Sequence, residues 1–174
     1  MGRRFYRRPR ARLWFAGVLF ALVCVRWYQE SRVRSAPSLL EEGVCEVEYV
    51  IDGDTIRLTN GARVRLIGVD TPEVHFPDEP QRPAEPWAEE ARRYTEDFLA
   101  AGSPRLEFDH ERKDRFERFL AYVWVDDRLL NESLIRNGLG RARLEFYYSD
   151  SRKRLFRHAQ DAARDQRIGI WGDD

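Results

Sequence analysis

The stretch from Val44 to Val69 constrains this chain most, because its pattern admits little besides short strands and tight turns. Val44, Glu46 and Glu48 alternate with Cys45, Val47 and Tyr49, the period of two that a strand requires. Asp52-Gly53-Asp54 marks a turn, and Thr55 to Leu58 reads as the return strand. Asn60-Gly61 is a strong signal for a two-residue hairpin. The next strand, Ala62 to Val69, then sets Val64 and Leu66 on one face and Arg63 and Arg65 on the other, because side chains alternate along an extended backbone. Three such strands in succession make a meander.

A proline-rich loop follows, with Pro72, Pro77, Pro80, Pro83 and Pro86. Pro86 suits the first turn of a helix. Trp87, Ala91, Tyr94 and Phe98 continue at helical spacing until Gly102. Residues 105–109 and 121–125 read as two more strands. Leu130, Leu134 and Ile135 mark a short helix ending at Gly138, and Leu155, Ala159, Ala162 and Ala163 form the stripe of a last one, with Ser149 or Ser151 as its cap. The expected fold is α+β: a five-stranded barrel of the oligonucleotide-binding type with about three helices.

The ends of the chain differ in charge. The formal net charge is zero, yet residues 1–35 hold nine Arg and one acid, which leaves 21 basic and 29 acidic residues beyond them. An acidic body argues against a protein that coats nucleic acid through a broad basic face. It permits an enzyme that grips phosphate locally. Arg3, Arg4, Arg7, Arg8, Arg10 and Arg12 precede an apolar run from Leu13 to Val25, followed by Arg26, Trp27 and Tyr28. A basic flank before an apolar core is an export signal, and the core is short for a span, which needs about 17–25 residues. No small-residue cleavage site follows it, so an uncleaved anchor through residues 13–28 is expected over a secreted form, with the domain outside the cytoplasm by the positive-inside rule. Residues 1–30 are thus read as signal or anchor, 31–43 as linker and 44–174 as the domain. Cys24 and Cys45 are not expected to pair.

The chemistry concentrates in Val50-Ile-Asp-Gly-Asp-Thr55 and Val64-Arg-Leu-Ile-Gly-Val-Asp-Thr-Pro-Glu73. If neighbouring strands pair, Asp54 and Asp70 converge at one rim. Two carboxylates with a carbonyl and water would suit a hard cation, calcium or magnesium. His75, His110 and His158 are scattered, which disfavours zinc. Turn chemistry alone also explains Asp-Gly-Asp. Arg65 near two acids suggests a phosphate clamp, and Glu73, behind the stiff Thr71-Pro72, suits a general base.

The strings IDGDTIRL and VRLIGVDTPE, then DRFERFLAYVWV, NESLIRNGLG and RIGIWG, resemble the staphylococcal nuclease (thermonuclease) family over about residues 44–172. The resemblance implies a calcium-dependent nuclease acting on DNA or RNA. It implies Asp54, Asp70 and the Thr71 carbonyl as metal ligands, Asp52 as an outer acid that orients a metal-bound water, Glu73 as general base, and Arg65 and Arg118 around the scissile phosphate. Two departures bear on substrate binding. The second arginine lies in Phe116-Glu117-Arg118-Phe119, where the family has Tyr-Gly-Arg, so Glu117 adds a negative charge beside it. Late in the domain, where the family's prototype carries stacking tyrosines, this chain has Leu144 and Phe146, with Tyr147 and Tyr148 adjacent. Phe116, Phe146 and Tyr147 are the expected base contacts, while core packing is the expectation for Phe119. The alternatives are a catalytically inactive binding module and a tethered domain that binds a protein. No obligate protein partner is evident.

Overall fold

The computed structural model describes residues 36–76 and 78–172. The expected anchor and the first part of the linker lie outside these residues. Among the described residues no helix is long and apolar enough to cross a membrane.

The strands are β1 (Gly43–Val44), β2 (Val47–Asp52), β3 (Thr55–Leu58), β4 (Arg63–Leu66), β5 (Val69–Asp70), β6 (Pro104–Lys113), β7 (Phe119–Val125), β8 (Arg128–Leu129) and β9 (Arg141–Ala142). The helices are α1 (Ala88–Ala100), α2 (Leu130–Arg136) and α3 (Asp150–Asp165), followed by a 3-10 turn at Gly169–Trp171. The main sheet runs β1-β6-β7-β4-β3-β2, with β8 on β7, while β5 and β9 form a separate pair. All its ladders are antiparallel except β4–β7.

Among the described residues the mixed α and β composition and the three helices agree with the sequence reading of the domain. The closed five-stranded barrel is not seen as a continuous ladder among the described residues. The path ends on β1 and β2, which the chain joins through Cys45 and Glu46. The expected strand 62–69 also splits. Leu66 is followed by a turn at Ile67-Gly68, where Gly68 has φ +73°, a conformation that costs glycine little and side-chain-bearing residues more. A Cβ there would also meet Phe156 at 2.7 Å and Tyr148 at 2.8 Å. The break redirects the chain so that Val69-Asp70 pairs with Ala142-Arg141 instead of continuing β4. The last residues of the expected linker make defined contacts. Leu40 is buried, its carbonyl accepts from Arg112, and Glu42 accepts the Phe108 N–H at 3.0 Å.

The core fills from both layers. Ile56, Leu58, Val64, Leu66, Leu106, Phe119 and Val123 come from the sheet, while Phe98, Leu134, Ile135 and Phe156 come from the helices. Each large apolar side chain buried this way contributes about 1.5–3 kcal/mol. In α1 the inward positions Ala88, Ala91, Thr95, Phe98 and Leu99 recur every three or four residues, which fits one face of a helix. In α3 the inward residues are Phe156, Ala159 and Ala163. Phe156 replaces the expected Leu155 as the main knob. Neither serine makes a side-chain cap bond: Ser149 stands at the cap position and Ser151 lies inside the helix. Buried Asn131 ties the layers together. Its Oδ1 accepts the Val123 N–H at 3.0 Å and its Nδ2 donates to the Ile67 carbonyl at 2.9 Å. This fixes the β4–β5 bend to β7, and an unmet polar group there would cost about 1–3 kcal/mol.

Candidate active site

Asp54 sits in the two-residue turn between β2 and β3, where Asp52 pairs with Thr55. Its N–H donates to Asp52 Oδ1 at 3.2 Å, the local bond that makes Asp a turn former. Gly53 has a further, tertiary role. A Cβ there would strike Ala91 Cβ at 2.7 Å and the Thr71 side chain at 2.8 Å, so only glycine lets α1 and the 71–73 segment close on the turn. Thr95 of α1 completes this contact by donating its hydroxyl to the Gly53 carbonyl at 2.6 Å.

The Asp54 side chain is almost wholly buried, at 1% exposure. Its Oδ2 accepts the Thr71 N–H at 2.8 Å and its Oδ1 accepts the Thr55 hydroxyl at 3.2 Å. A buried carboxylate also needs a positive partner, and Arg65 supplies it. Arg65 stands opposite Thr55 in the β3–β4 ladder. Its Nη1 contacts Asp54 Oδ1, and its Nη2 donates to Asp70 Oδ1 at 2.7 Å. Asp54 and Asp70, sixteen positions apart in the sequence, therefore meet on one guanidinium. Asp70 gives its other oxygen, Oδ2, to Arg143 Nη1 at 2.8 Å.

Burial lowers the Arg65 pKa despite its acids, and burial raises that of Asp52 although Arg65 and Arg118 both favour its charged form. Glu73 behaves like Asp52. Burial first, then the charges of Asp52, Asp70 and Glu85, raise it against the pull of Arg65. A carboxylate in that position takes up a proton more readily than an exposed one, which is what a general base needs. Its backbone is fixed from both sides by Glu85, whose Oε2 accepts the Glu73 N–H and whose own N–H donates to the Glu73 carbonyl, each at 3.0 Å. The Thr71-Pro72 pair therefore shares this task with a residue the sequence did not single out.

Arg118 stands just before β7, whose Leu120 is the register partner of Arg65 in the parallel β4–β7 ladder. This pairing brings the two arginines to one cleft. Arg118 Nε and Nη2 both reach Asp114 Oδ2 at 2.7 Å, while Asp114 Oδ1 accepts the N–H groups of Phe116 and Arg118 at 2.9 and 3.0 Å. Burial alone would raise the Asp114 pKa. The bonds from Arg118 and Phe116 outweigh it and hold the carboxyl below its ordinary value. Asp114 thus aims Arg118, and the four-residue offset in Asp114-Arg-Phe-Glu-Arg118 was the one available hint. Glu117 does not turn toward the site. It adopts φ +59° and pairs with Lys113 at 2.9 Å, with its side chain 78% exposed.

A cleft of about 830 Å³ adjoins this corner, with Arg65, Arg118, Arg143, Phe116, Phe146 and Tyr147 among its lining. The three aromatics are exposed, as base contacts require. Tyr147 stacks on His110 with centroids 4.8 Å apart. The Arg143 guanidinium lies 5.0 Å from the Phe146 ring and that of Arg118 lies 5.4 Å from the Phe116 ring. Phe119, by contrast, is 2% exposed and packs on Phe108 in the core, and Tyr148 is buried too.

Among the described residues no group of three or more His, Cys, Asp or Glu is arranged to hold a metal. The donors that do converge are Asp54 and Asp70, all-oxygen and already gathered about one positive charge. Thr71 beside them is buried with its Oγ1 unpartnered. This donor set fits a hard cation better than a soft one.

The residues and their order match known proteins. Residues 63–173 fit the model of the family described as staphylococcal nuclease homologue. The chain is 42% identical over 129 residues to a thermonuclease of Staphylococcus intermedius, covering 72% of this chain and 74% of that protein. It is 38% identical over 136 residues to the thermonuclease of Staphylococcus hyicus, covering 76% and 78%. It is 35% identical over 131 residues to Endonuclease YncB of Bacillus subtilis, covering 72% and 60%. With the family model matching residues 63–173 and relatives at 42% and 38% identity over most of their length, the chain belongs to the staphylococcal nuclease family.

Proposed function

We propose that this protein is a calcium-dependent nuclease that hydrolyses phosphodiester bonds of DNA or RNA by attack of water. The observation that carries this reading is the convergence of Asp54 and Asp70 on the Arg65 guanidinium, beside Glu73 and Arg118. The relatives named thermonuclease and endonuclease support it.

Asp54 and Asp70, with the Thr71 carbonyl, would hold the divalent ion, and Asp52 would orient a water beside it. The ion, when bound, supplies Lewis-acid stabilisation of charge on the phosphate. Glu73 accepts the proton of the attacking water, and its raised pKa suits it to hold that proton. Arg65 and Arg118 neutralise charge that grows on phosphate oxygens in the transition state, a contribution of about 3–4 kcal/mol for one well-placed donor. Asp114 keeps the Arg118 fork in the orientation this requires. Calcium is favoured over magnesium because calcium accepts flexible sets of oxygen ligands, whereas magnesium demands near-ideal octahedral geometry. The ring of ladders through β1 and β2, closed by the Cys45–Glu46 link, is read as an oligonucleotide-binding barrel whose mouth is this cleft. The arginine-rich flank and the apolar run of residues 13–28 support an extracytoplasmic domain held at a membrane.

The test is incubation of the full chain with denatured DNA and with RNA, in calcium, in magnesium, or with chelator. Cleavage that requires the ion supports the reading. Binding without cleavage would instead favour an inactive binding module.

A further inference from the structure

Asp70 has both oxygens occupied, one by Arg65 and one by Arg143. The two guanidiniums are held differently. Arg65 is 14% exposed and is shared with buried Asp54. Arg143 is 37% exposed and keeps a second acid within reach, its Nε donating to Glu145 Oε1 at 2.5 Å. Its backbone is anchored, since the Arg143 N–H donates to the Gly68 carbonyl at 2.9 Å. The side chain can therefore swing without moving the strand. It also lines the cleft with Arg65 and Arg118 and lies over the Phe146 ring. A cation that takes Asp70 Oδ2 must displace Arg143, which then faces a cleft that already gathers cations for phosphate.

We infer that Arg143 exchanges between Asp70 and a phosphate of the substrate, and so couples metal binding to nucleic-acid binding. This rests on the metal reading of Asp54 and Asp70. Without substrate, Arg143 competes with the ion for Asp70 and lowers its affinity. With substrate, the freed guanidinium meets the backbone phosphate next to the one being cut, where a planar fork can span two oxygens. Arg143 is accordingly a positioning residue and takes no part in bond breaking.

The test measures calcium binding by calorimetry on the metal-free full chain, together with the kinetics of a single-stranded oligodeoxynucleotide. Variants are Arg143→Gln, Arg143→Lys and, as a charge-matched control, Arg154→Gln, whose side chain is exposed on α3. Removing a unit positive charge beside the site should tighten calcium by about tenfold in Arg143→Gln, while KM for the oligonucleotide rises more than kcat falls. Arg143→Lys keeps the competing charge but loses the fork, so calcium affinity stays near wild type and KM still rises. Arg154→Gln should change neither. If Arg143 served only to brace the fold, Arg143→Gln would bind calcium no more tightly than wild type, and that result overturns the inference. A wild-type chain that binds no divalent ion sinks the metal reading and this inference together. Wild-type binding with unchanged affinity in the variant sinks the inference alone.

Discussion

The corner around Asp54 and the rim of the adjoining cleft lie side by side but are built on opposite terms. In the corner, Asp54 is buried and every oxygen it offers has a partner from β3, β4 or the 71–73 segment. At the rim, Phe116, Phe146 and Tyr147 are each more than half exposed. The contrast separates two tasks. Charge that must act on a transition state has to be dry and fixed before substrate arrives, because preorganised charge needs no reorganisation during the reaction. Surfaces that meet many different bases can stay wet, since every base offers a face to stack on.

Asp54→Asn should break the corner most severely. It leaves Arg65 buried with one anion fewer, and removing one partner of a buried ion pair costs about 3–5 kcal/mol. Turnover should be lost, and the chain should unfold at markedly lower denaturant. An Asp54→Asn protein as stable as wild type would mean that the buried contact between Asp54 and Arg65 is not a structural one. Next come Arg65→Lys and Arg118→Lys. An ammonium keeps the charge but cannot span two phosphate oxygens, so each should lower kcat by about 10²–10³-fold, the range seen when one transition-state donor is removed. Arg118→Lys should do this with little loss of stability, because its partner Asp114 is near the surface. If both Lys variants turn over at the wild-type rate, the clamp assignment fails.

The difference between corner and rim also governs what the sequence could disclose. The alternation from Val44 to Leu66 gave the meander, since a half-buried strand must show a period of two. Asp54, Arg65, Asp70, Glu73 and Arg118 could be named because each sits in a motif with its own resemblance. Gly53 looked like turn chemistry alone, because nothing local reveals that Ala91 and Thr71 will press against it. The split of the strand at Ile67-Gly68 was equally hidden. Leu66-Ile67-Gly68 breaks the alternation only within three residues, and nothing local shows that Phe156 and Tyr148 will pack where a Cβ at Gly68 would stand. Arg143 and Asp114 were missed for a related reason. In an arginine-rich, acid-rich chain, the ion pairs that matter differ from surface pairs only by position in space.

Titration offers a milder way to sharpen the comparison. Burial raises the pKa of Asp52, so its stability contribution is present below the ordinary carboxylate pKa and is lost as pH rises through the raised value. Asp52→Asn, examined with chelator present, should therefore stabilise the protein at neutral pH, with the gain fading in acid. Asp114 is the mirror case. Its lowered pKa means stability present above the ordinary value and lost as pH falls through the depressed one. Asp114→Asn should weaken the fold at neutral pH by about 0–1 kcal/mol, as befits a partly exposed pair, and the deficit should vanish in acid. Denaturation midpoints of both variants across pH read the two signs directly. The same sign for both would contradict the assignment of a dry corner beside a wetter loop.

The rim should give the smallest effects on the folded protein and a selective one on binding. Phe116→Ala, Phe146→Ala and Tyr147→Ala remove exposed rings, so stability should move by no more than about 0.5 kcal/mol. Loss of a stacking platform costs about 1–3 kcal/mol per base, which should appear in KM for single-stranded oligonucleotides and scarcely in kcat. Tyr147 is the most informative of the three. Its ring already stacks on His110, so one face is covered by protein and only the other is free for a base. Tyr147→Ala should then raise KM less than Phe146→Ala does. A larger rise for Tyr147, or a fall in kcat that matches the rise in KM, would show that the rim helps to aim the phosphate as well as to hold the strand.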